Sequence, residues 1–363
     1  MSLQAPALKN DRFLRALRRQ PVDATPVWIM RQAGRYLPEY RATRQRAGSF
    51  MALCQTPELA CEVTLQPLAR FDLDASILFS DILTIPDAMG LGLDFVEGEG
   101  PQFARPIRDP ADLKRLKRPD PEVELRYVMD AVRLIRRELG GRVPLIGFAG
   151  APWTLYCYMV EGGGSPHLKL AKQFAWDQPA AAQQLLGMLA ELVADYLIAQ
   201  AHAGAQTLMV FDSHAGALSP LAFGELAQKH LKTVLDRLKA DPVAAQLPHI
   251  VFARGANHDF GALADLGADA LGIDWGVRLS AVRALTGGRV ALQGNLDPES
   301  LYTRPEVLRG MVMEVLEDYG PGPGHIFNLG HGIRPDVNPE QLNVLIDTVH
   351  RHSAAINARP TLA

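Results

Sequence analysis

Short runs of β-branched and apolar residues recur along the chain, and longer amphipathic stretches separate them. The runs fall at 27–30, 75–79, 143–148, 207–211, 249–253, 270–273, 290–292 and 325–329. Each ends in polar residues or glycine. The stretches between, such as 121–139, 179–203 and 220–239, space their apolar residues as one-sided helices do. Continuous apolar runs suit strands whose sheet is covered on both faces. Eight such strands alternating with helices predict a closed (β/α)8 TIM barrel rather than an open sheet. The repeat is one of structure only, because no equal-length sequence repeat is present.

Local signals agree with this pattern. Thr56-Pro57-Glu58 and Asn338-Pro339-Glu340 each set a capping side chain before a first-turn proline. The second of these opens a final helix over about 339–356. Residues 93–103 alternate and turn through Gly98 and Gly100, which predicts a β-hairpin inserted after the second strand. No linker interrupts the pattern, so residues 1–363 are expected to form one domain, with flexible ends of about ten and seven residues.

Composition narrows the class. Hydrophobic residues make up 48% and charged residues 21% of the 363, which is globular and capable of a large core. Cys54, Cys61 and Cys157 form no C-x-x-C pair and no even framework, which fits a reducing cytoplasm. No signal core and no long uncharged apolar run is present, so no membrane span is expected. The net charge of −3 argues against a nucleic-acid partner. The charge is uneven, however. Residues 1–50 hold ten Lys/Arg against three Asp/Glu, a local +7 that leaves −10 for the rest. A solvated helix accounts for Arg12 to Arg19, but not for Arg31 and Arg35, which follow an apolar run.

In a barrel of this kind, chemistry collects where strands end. Those ends are Arg31-Gln32, Ser80-Asp81, Ala149-Gly150, Asp212-Ser213, Arg254-Gly255, Asp274-Trp275, Gly294-Asn295 and Gly330-His331. Two aspartates and a histidine could in principle hold a metal, but a hard cation wants more converging carboxylates, so no metal site is assigned. Arg31-Gln32-Ala33-Gly34-Arg35 brings two guanidinium groups together, with Gly34 allowing close backbone approach. Two arginines suit a ligand with several carboxylates, and phosphate would serve equally well. A salt-bridged structural pair is the plainer alternative.

Asp81 lies between apolar neighbours, either capping a helix or waiting for N–H donors or a cation. Tyr156 and Tyr158 bring phenols near the mouth, and Cys157 reads as a packed thiol. Gly162 to Gly164 reads as a mobile loop, either a lid or a plain connection. Ser213 and His214 are sequence neighbours without a nucleophile elbow, so Ser213 reads as a hydroxyl donor to a ligand rather than a hydrolase nucleophile. His331 either contacts an anion, carries a proton or braces a neighbouring loop.

Taken in order, these segments resemble the uroporphyrinogen decarboxylase family. The stretch from Trp28 through Arg31-Gln32-Ala33-Gly34-Arg35 to Glu39 is similar to its N-terminal signature. The stretch from Gly147 to Leu155, with Tyr158 to Gly164, is similar to its second. Phe79-Ser80-Asp81, Phe211-Asp212-Ser213-His214 and Phe327-Asn328-Leu329-Gly330-His331 also match, and the likeness runs from about Asn10 to about Ile356. The resemblance implies a barrel that converts the four acetate side chains of uroporphyrinogen III to methyls. It also implies a cytoplasmic homodimer with no cofactor. It places substrate against Arg31, Gln32, Ala33, Gly34, Arg35, Asp81, Tyr158, Phe211, Ser213 and His331, with chemistry at Asp81, Arg31, Tyr158 and His331.

A substrate with eight carboxylates accounts for a basic cluster on an acidic chain. Three other readings remain: a zinc-dependent cobalamin-linked methyltransferase on the same fold, a tetrapyrrole carrier, and a phosphosugar enzyme. The lack of cysteine at the late strand ends speaks against the first.

Overall fold

The computed structural model describes residues 7–96, 100–257 and 259–358. The outermost parts of the expected flexible ends, and the hairpin turn at Gly98, lie outside these residues. Seven parallel strands form one sheet: β1 (Ser76–Ile77), β4 (Leu145–Gly150), β5 (Thr207–Asp212), β6 (His249–Ala253), β7 (Ala270–Gly272), β8 (Ala291–Gln293) and β9 (His325–Ile326). Neighbours in the sheet are neighbours in that list, and helices connect them in a TIM-barrel-like α/β arrangement. A separate antiparallel pair, β2 (Leu93–Val96) and β3 (Gly100–Phe103), follows β1 with Leu93 opposite Phe103. The apolar strand runs are buried throughout, as a sheet covered on both faces requires.

The expected first strand is the main correction. Only Val27 pairs, and it bonds to both edges of the sheet. It bridges Phe327 in parallel, while the Asp74 N–H donates to its carbonyl at 2.9 Å. Beyond Val27, side chains replace the ladder. Asn328 Oδ1 accepts the Met30 N–H at 3.0 Å, and Gln32 Oε1 accepts the Ile29 N–H at 3.1 Å. The backbone can therefore leave the sheet and turn without orphaned donors.

Asp74, almost fully buried, anchors this junction. Its Oδ2 accepts from Val27 N at 2.8 Å and His350 Nε2 at 2.7 Å, and Oδ1 accepts from Asn10 Nδ2 at 2.8 Å. Arg12 reaches the same carboxylate at 3.4 Å and pairs with Asp23. Part of the basic N-terminal segment is thus structural.

Helix Pro179–Ala203 shows how the outer layer is fixed. Leu189, Val193 and Leu197, spaced four apart, are fully buried, and each contributes about 1.5–3 kcal/mol. Gln200 then clips the helix to β4. Its amide donates to Phe148 O and accepts from Phe148 N, both at 2.9 Å. A Cβ at Gly147 would stand 2.6 Å from that Gln200 oxygen, so the strand needs glycine there.

The final helix spans Glu340–Asn357, with Asn338 Oδ1 accepting the Glu340 N–H as expected. At the other predicted cap, Thr56 instead donates its hydroxyl back to Ala52 O at 2.7 Å, because a short helix already precedes it. Among the described residues, no helix is long and apolar enough to cross a membrane. The three cysteines are buried and unpaired.

Candidate active site

Arg31 sits on the turn that follows Val27, with φ of +66°. A non-glycine residue in this left-handed region costs about 1–2 kcal/mol, which the surrounding packing must hold. Two glycines make the turn possible. A Cβ at Gly34 would meet the Arg31 carbonyl at 2.7 Å. A Cβ at Gly332 would collide with Arg31 Cδ, so the Arg31 stem lies directly across Gly332. The turn is also tied to the loop after β9, as Ile333 N donates to Met30 O at 3.0 Å. Arg31 and Arg35 are both solvent-accessible, and neither has a carboxylate partner among the described residues. The salt-bridged alternative is therefore not what forms.

Gln32 is placed differently from its neighbours. Its side chain is buried, accepting from Ile29 N and donating to Ala75 O at 3.2 Å, while its carbonyl accepts the Tyr36 hydroxyl. It shapes the wall that carries Arg31. Ala33 and Gly34 are half-buried on the turn.

Asp81 follows β1. Its Oδ1 accepts the Leu83 N–H at 2.8 Å, and no described residue donates to its second oxygen. Burial pushes the carboxyl up to about 6, the Leu83 hydrogen bond and the Arg31 charge only partly opposing. Tyr158 projects from helix Pro152–Glu161, and burial together with the Asp81 charge raises its phenol. Burial lowers the Arg31 guanidinium, against the pull of Tyr158 and Asp81. Arg31 and Tyr158 thus each feel the other and Asp81, and Asp81 feels Arg31.

The opposite wall is aromatic. Phe211 packs edge-on against Phe148 at 5.7 Å and Phe252 at 6.1 Å. His331 lies 6.5 Å from the Phe252 ring. Burial, followed by the Arg31, Arg254 and Arg334 charges, drives the His331 pKa down to about 3, so the imidazole is neutral near pH 7. The Tyr158 and His214 rings are 5.2 Å apart. Ser213 is half-buried beside His214, with no partner for its hydroxyl among the described residues. Below it Asp212 is fully buried, and its Oδ1 accepts the Thr154 hydroxyl at 2.6 Å. Desolvation pushes Asp212 up to about 7.

The first two glycines after Glu161 make backbone contacts, while Gly164 is exposed with open space around it. Gly162 O accepts the Phe103 N–H at 2.8 Å, Gly163 bridges Gln102, and Glu161 Oε1 accepts the Ala171 N–H at 2.9 Å. A Cβ at Gly163 would come within 2.8 Å of Pro101 O. The second glycine therefore permits a close backbone contact, not a hinge. Tyr156 is fully buried and donates to Ala171 O at 3.1 Å, and burial raises the Cys157 thiol well above its ordinary range. Neither belongs to the mouth.

The structure adds His214, Arg254 and Arg334 to the groups that act on the predicted residues. Arg254 was visible in the sequence as a strand end. Arg334 follows His331 too distantly for the strand-end rule to single it out. Among the described residues, no three His, Cys, Asp or Glu side chains converge to hold a metal.

Comparison with known proteins gives the same answer from end to end. The model of the uroporphyrinogen decarboxylase family matches residues 8–352. The chain is 59% identical over 344 residues to a uroporphyrinogen decarboxylase of Thioalkalivibrio sulfidiphilus, covering 95% of this chain and 98% of that one. It is 57% identical over 351 residues to the Azoarcus sp. uroporphyrinogen decarboxylase, covering 97% and 98%. Among solved structures, a methyltransferase from Methanosarcina mazei superposes with a TM-score of 0.78, covering 94% of this chain and 98% of that one. Its 21% identity makes that a likeness of fold alone. With the family model matched over residues 8–352 and 57–59% identity to these relatives over nearly the whole chain, the chain belongs to the uroporphyrinogen decarboxylase family.

Proposed function

We propose that the chain is a carboxy-lyase that decarboxylates the four acetate side chains of uroporphyrinogen III, giving coproporphyrinogen III and four CO2 without a cofactor. The observation that carries this reading is Asp81. It is a carboxylate in the mouth with one oxygen held by Leu83 N and the other without a donor among the described residues, set near the Arg31 cation and the neutral Tyr158 phenol.

The substrate's four pyrrole N–H groups supply the missing donors, since an ionised carboxylate is an acceptor with about four lone-pair sites. Arg31 and Arg35 bind peripheral carboxylates, Phe211 faces the macrocycle, and Ser213 donates a hydroxyl. Protonating a pyrrole carbon next to an acetate makes a ring cation. The carboxylate's C–C bond then breaks, CO2 leaves, and the bond's electrons neutralise the ring. A second proton to the exocyclic carbon completes the methyl, and the first is released from the ring, so each decarboxylation consumes one proton net and the four together consume four. The substrate is its own electron sink. Asp81 stabilises the cation by preorganised charge, by about 3–4 kcal/mol on the scale of a single oxyanion-hole donor. Tyr158 and Arg31 both hold protons near pH 7. Neutral His331 can donate from one ring nitrogen while accepting at the other.

The test is anaerobic turnover of freshly reduced uroporphyrinogen III by purified protein with chelator present, with products oxidised and separated by carboxylate number. A ladder from eight carboxylates to four supports the reading. An unchanged eight-carboxylate species bound to folded protein would replace it with a tetrapyrrole carrier. A homodimer in the cytoplasm belongs to the same proposal, and sedimentation at the 39.6 kDa monomer mass would remove the dimer from it.

A further inference from the structure

We propose that Arg254 is a second carboxylate-binding residue, engaging the edge of the substrate opposite the one held by Arg31 and Arg35. The inference rests on the decarboxylase reading and extends it. Around the sheet, Val27 is followed by β1, β4, β5 and β6 in one direction, and by β9, β8, β7 and β6 in the other. Arg31, just after Val27, and Arg254, just after β6, therefore leave the sheet at diametrically opposite strand ends. A macrocycle with carboxylates on its whole perimeter needs cations on both sides of the mouth.

The Arg254 position is built, not incidental. Its N–H donates to Asp212 O at 3.0 Å, and its carbonyl accepts the Gly216 N–H at 2.8 Å. The backbone of Arg254 is thereby tied to the segment carrying Ser213 and His214. Gly216 and Gly255 permit this: a Cβ at Gly216 would lie 2.7 Å from Gly255 Cα. Gly255, at φ +72°, donates its N–H to Asp274 Oδ2 at 2.6 Å, and Gly276 N donates to the other oxygen of Asp274 at 2.8 Å. Asp274 is buried and occupied by these donors, so it fixes the loop backbone.

The Arg254 side chain is exposed, and its guanidinium lies 5.9 Å from the centre of the Trp275 ring. No described carboxylate pairs with it. Its charge reaches both His331 and His214, which places it on the same mouth. An arginine held on an aromatic face keeps its planar fork oriented for bidentate capture of a carboxylate.

The test compares wild type with Arg254→Ala, Arg254→Gln and Arg254→Lys, using anaerobic initial rates on uroporphyrinogen III. Urea midpoints confirm folding. Arg254→Ala and Arg254→Gln are expected to raise KM about tenfold while kcat stays within about twofold, as loss of one charge-assisted contact implies. Arg254→Lys should fall between them and wild type, because it restores charge without the fork. A KM within twofold of wild type in Arg254→Ala, or a fall in kcat at unchanged KM, would overturn the assignment. Absence of turnover in wild type would instead overturn the decarboxylase reading, so the two failures are distinguishable.

Discussion

Asp81→Asn should stabilise the protein while crippling it. The wild-type carboxyl rises from an ordinary 3.8 to about 6 because the fold desolvates it more than Leu83 N and Arg31 compensate. The folded chain therefore binds that proton more tightly than the unfolded chain does. The Asp81 contribution to stability is most favourable below about pH 4, falls as pH rises between the two values, and levels off above about 6. At ~1.4 kcal/mol per pKa unit, the full penalty is about 3 kcal/mol at neutral pH. Asp81 is half-buried and faces a wet mouth, so screening reduces this to about 1–2 kcal/mol. Asparagine has the same shape and keeps an oxygen for Leu83 N, so the local turn survives. Urea denaturation of both proteins at about pH 5 and about pH 7.5 is the assay. The variant should be more stable by about 1–2 kcal/mol at the higher pH, with roughly half that gain at the lower. A variant that is less stable at neutral pH, or a difference independent of pH, would refute the desolvation argument.

Three further outcomes follow from the same geometry. The acid limb of kcat/KM should fall near pH 6 as Asp81 protonates, and should persist in Asp212→Asn, whose carboxyl lies below the mouth with Thr154. Gly332→Ala should lower kcat/KM about 10–100-fold in a folded protein, because the new methyl would occupy the Arg31 stem; activity near wild type would show that the turn yields. Asp74→Ala should destabilise by about 3–5 kcal/mol in chemical denaturation, since it strands Val27 N and His350. Burial lowers His350, but the Asp74 hydrogen bond and charge more than reverse this. That share of stability is full below pH ~6.5 and is lost as pH rises through the elevated folded value, so the variant should lose it.

Much of this architecture was legible in the chain because burial on both faces leaves a continuous apolar run, and each run ends where the sheet does. That rule located Arg31, Asp81, Ser213, Arg254 and His331 at one mouth. It failed at 28–30, where the composition is that of a strand but Gln32 and Asn328 supply the bonds a ladder would have made. Those partners are side chains, one of them about 300 residues away, and no local pattern encodes them. The glycine run after Glu161 reads locally as a loose connection, yet Gly162 and Gly163 meet Phe103 and Gln102, partners that no local pattern encodes. Gln32 stands in the most chemically suggestive motif yet turns into the wall, which periodicity cannot reveal at a non-helical turn.

The central claim is that an ionised Asp81 stabilises the protonated pyrrole. Its most direct measurement is kcat for wild type and Asp81→Asn on uroporphyrinogen III under anaerobic conditions at saturating substrate and neutral pH. The account expects a drop of about 10²–10³-fold in a variant that remains folded. A kcat within about fivefold of wild type would contradict it.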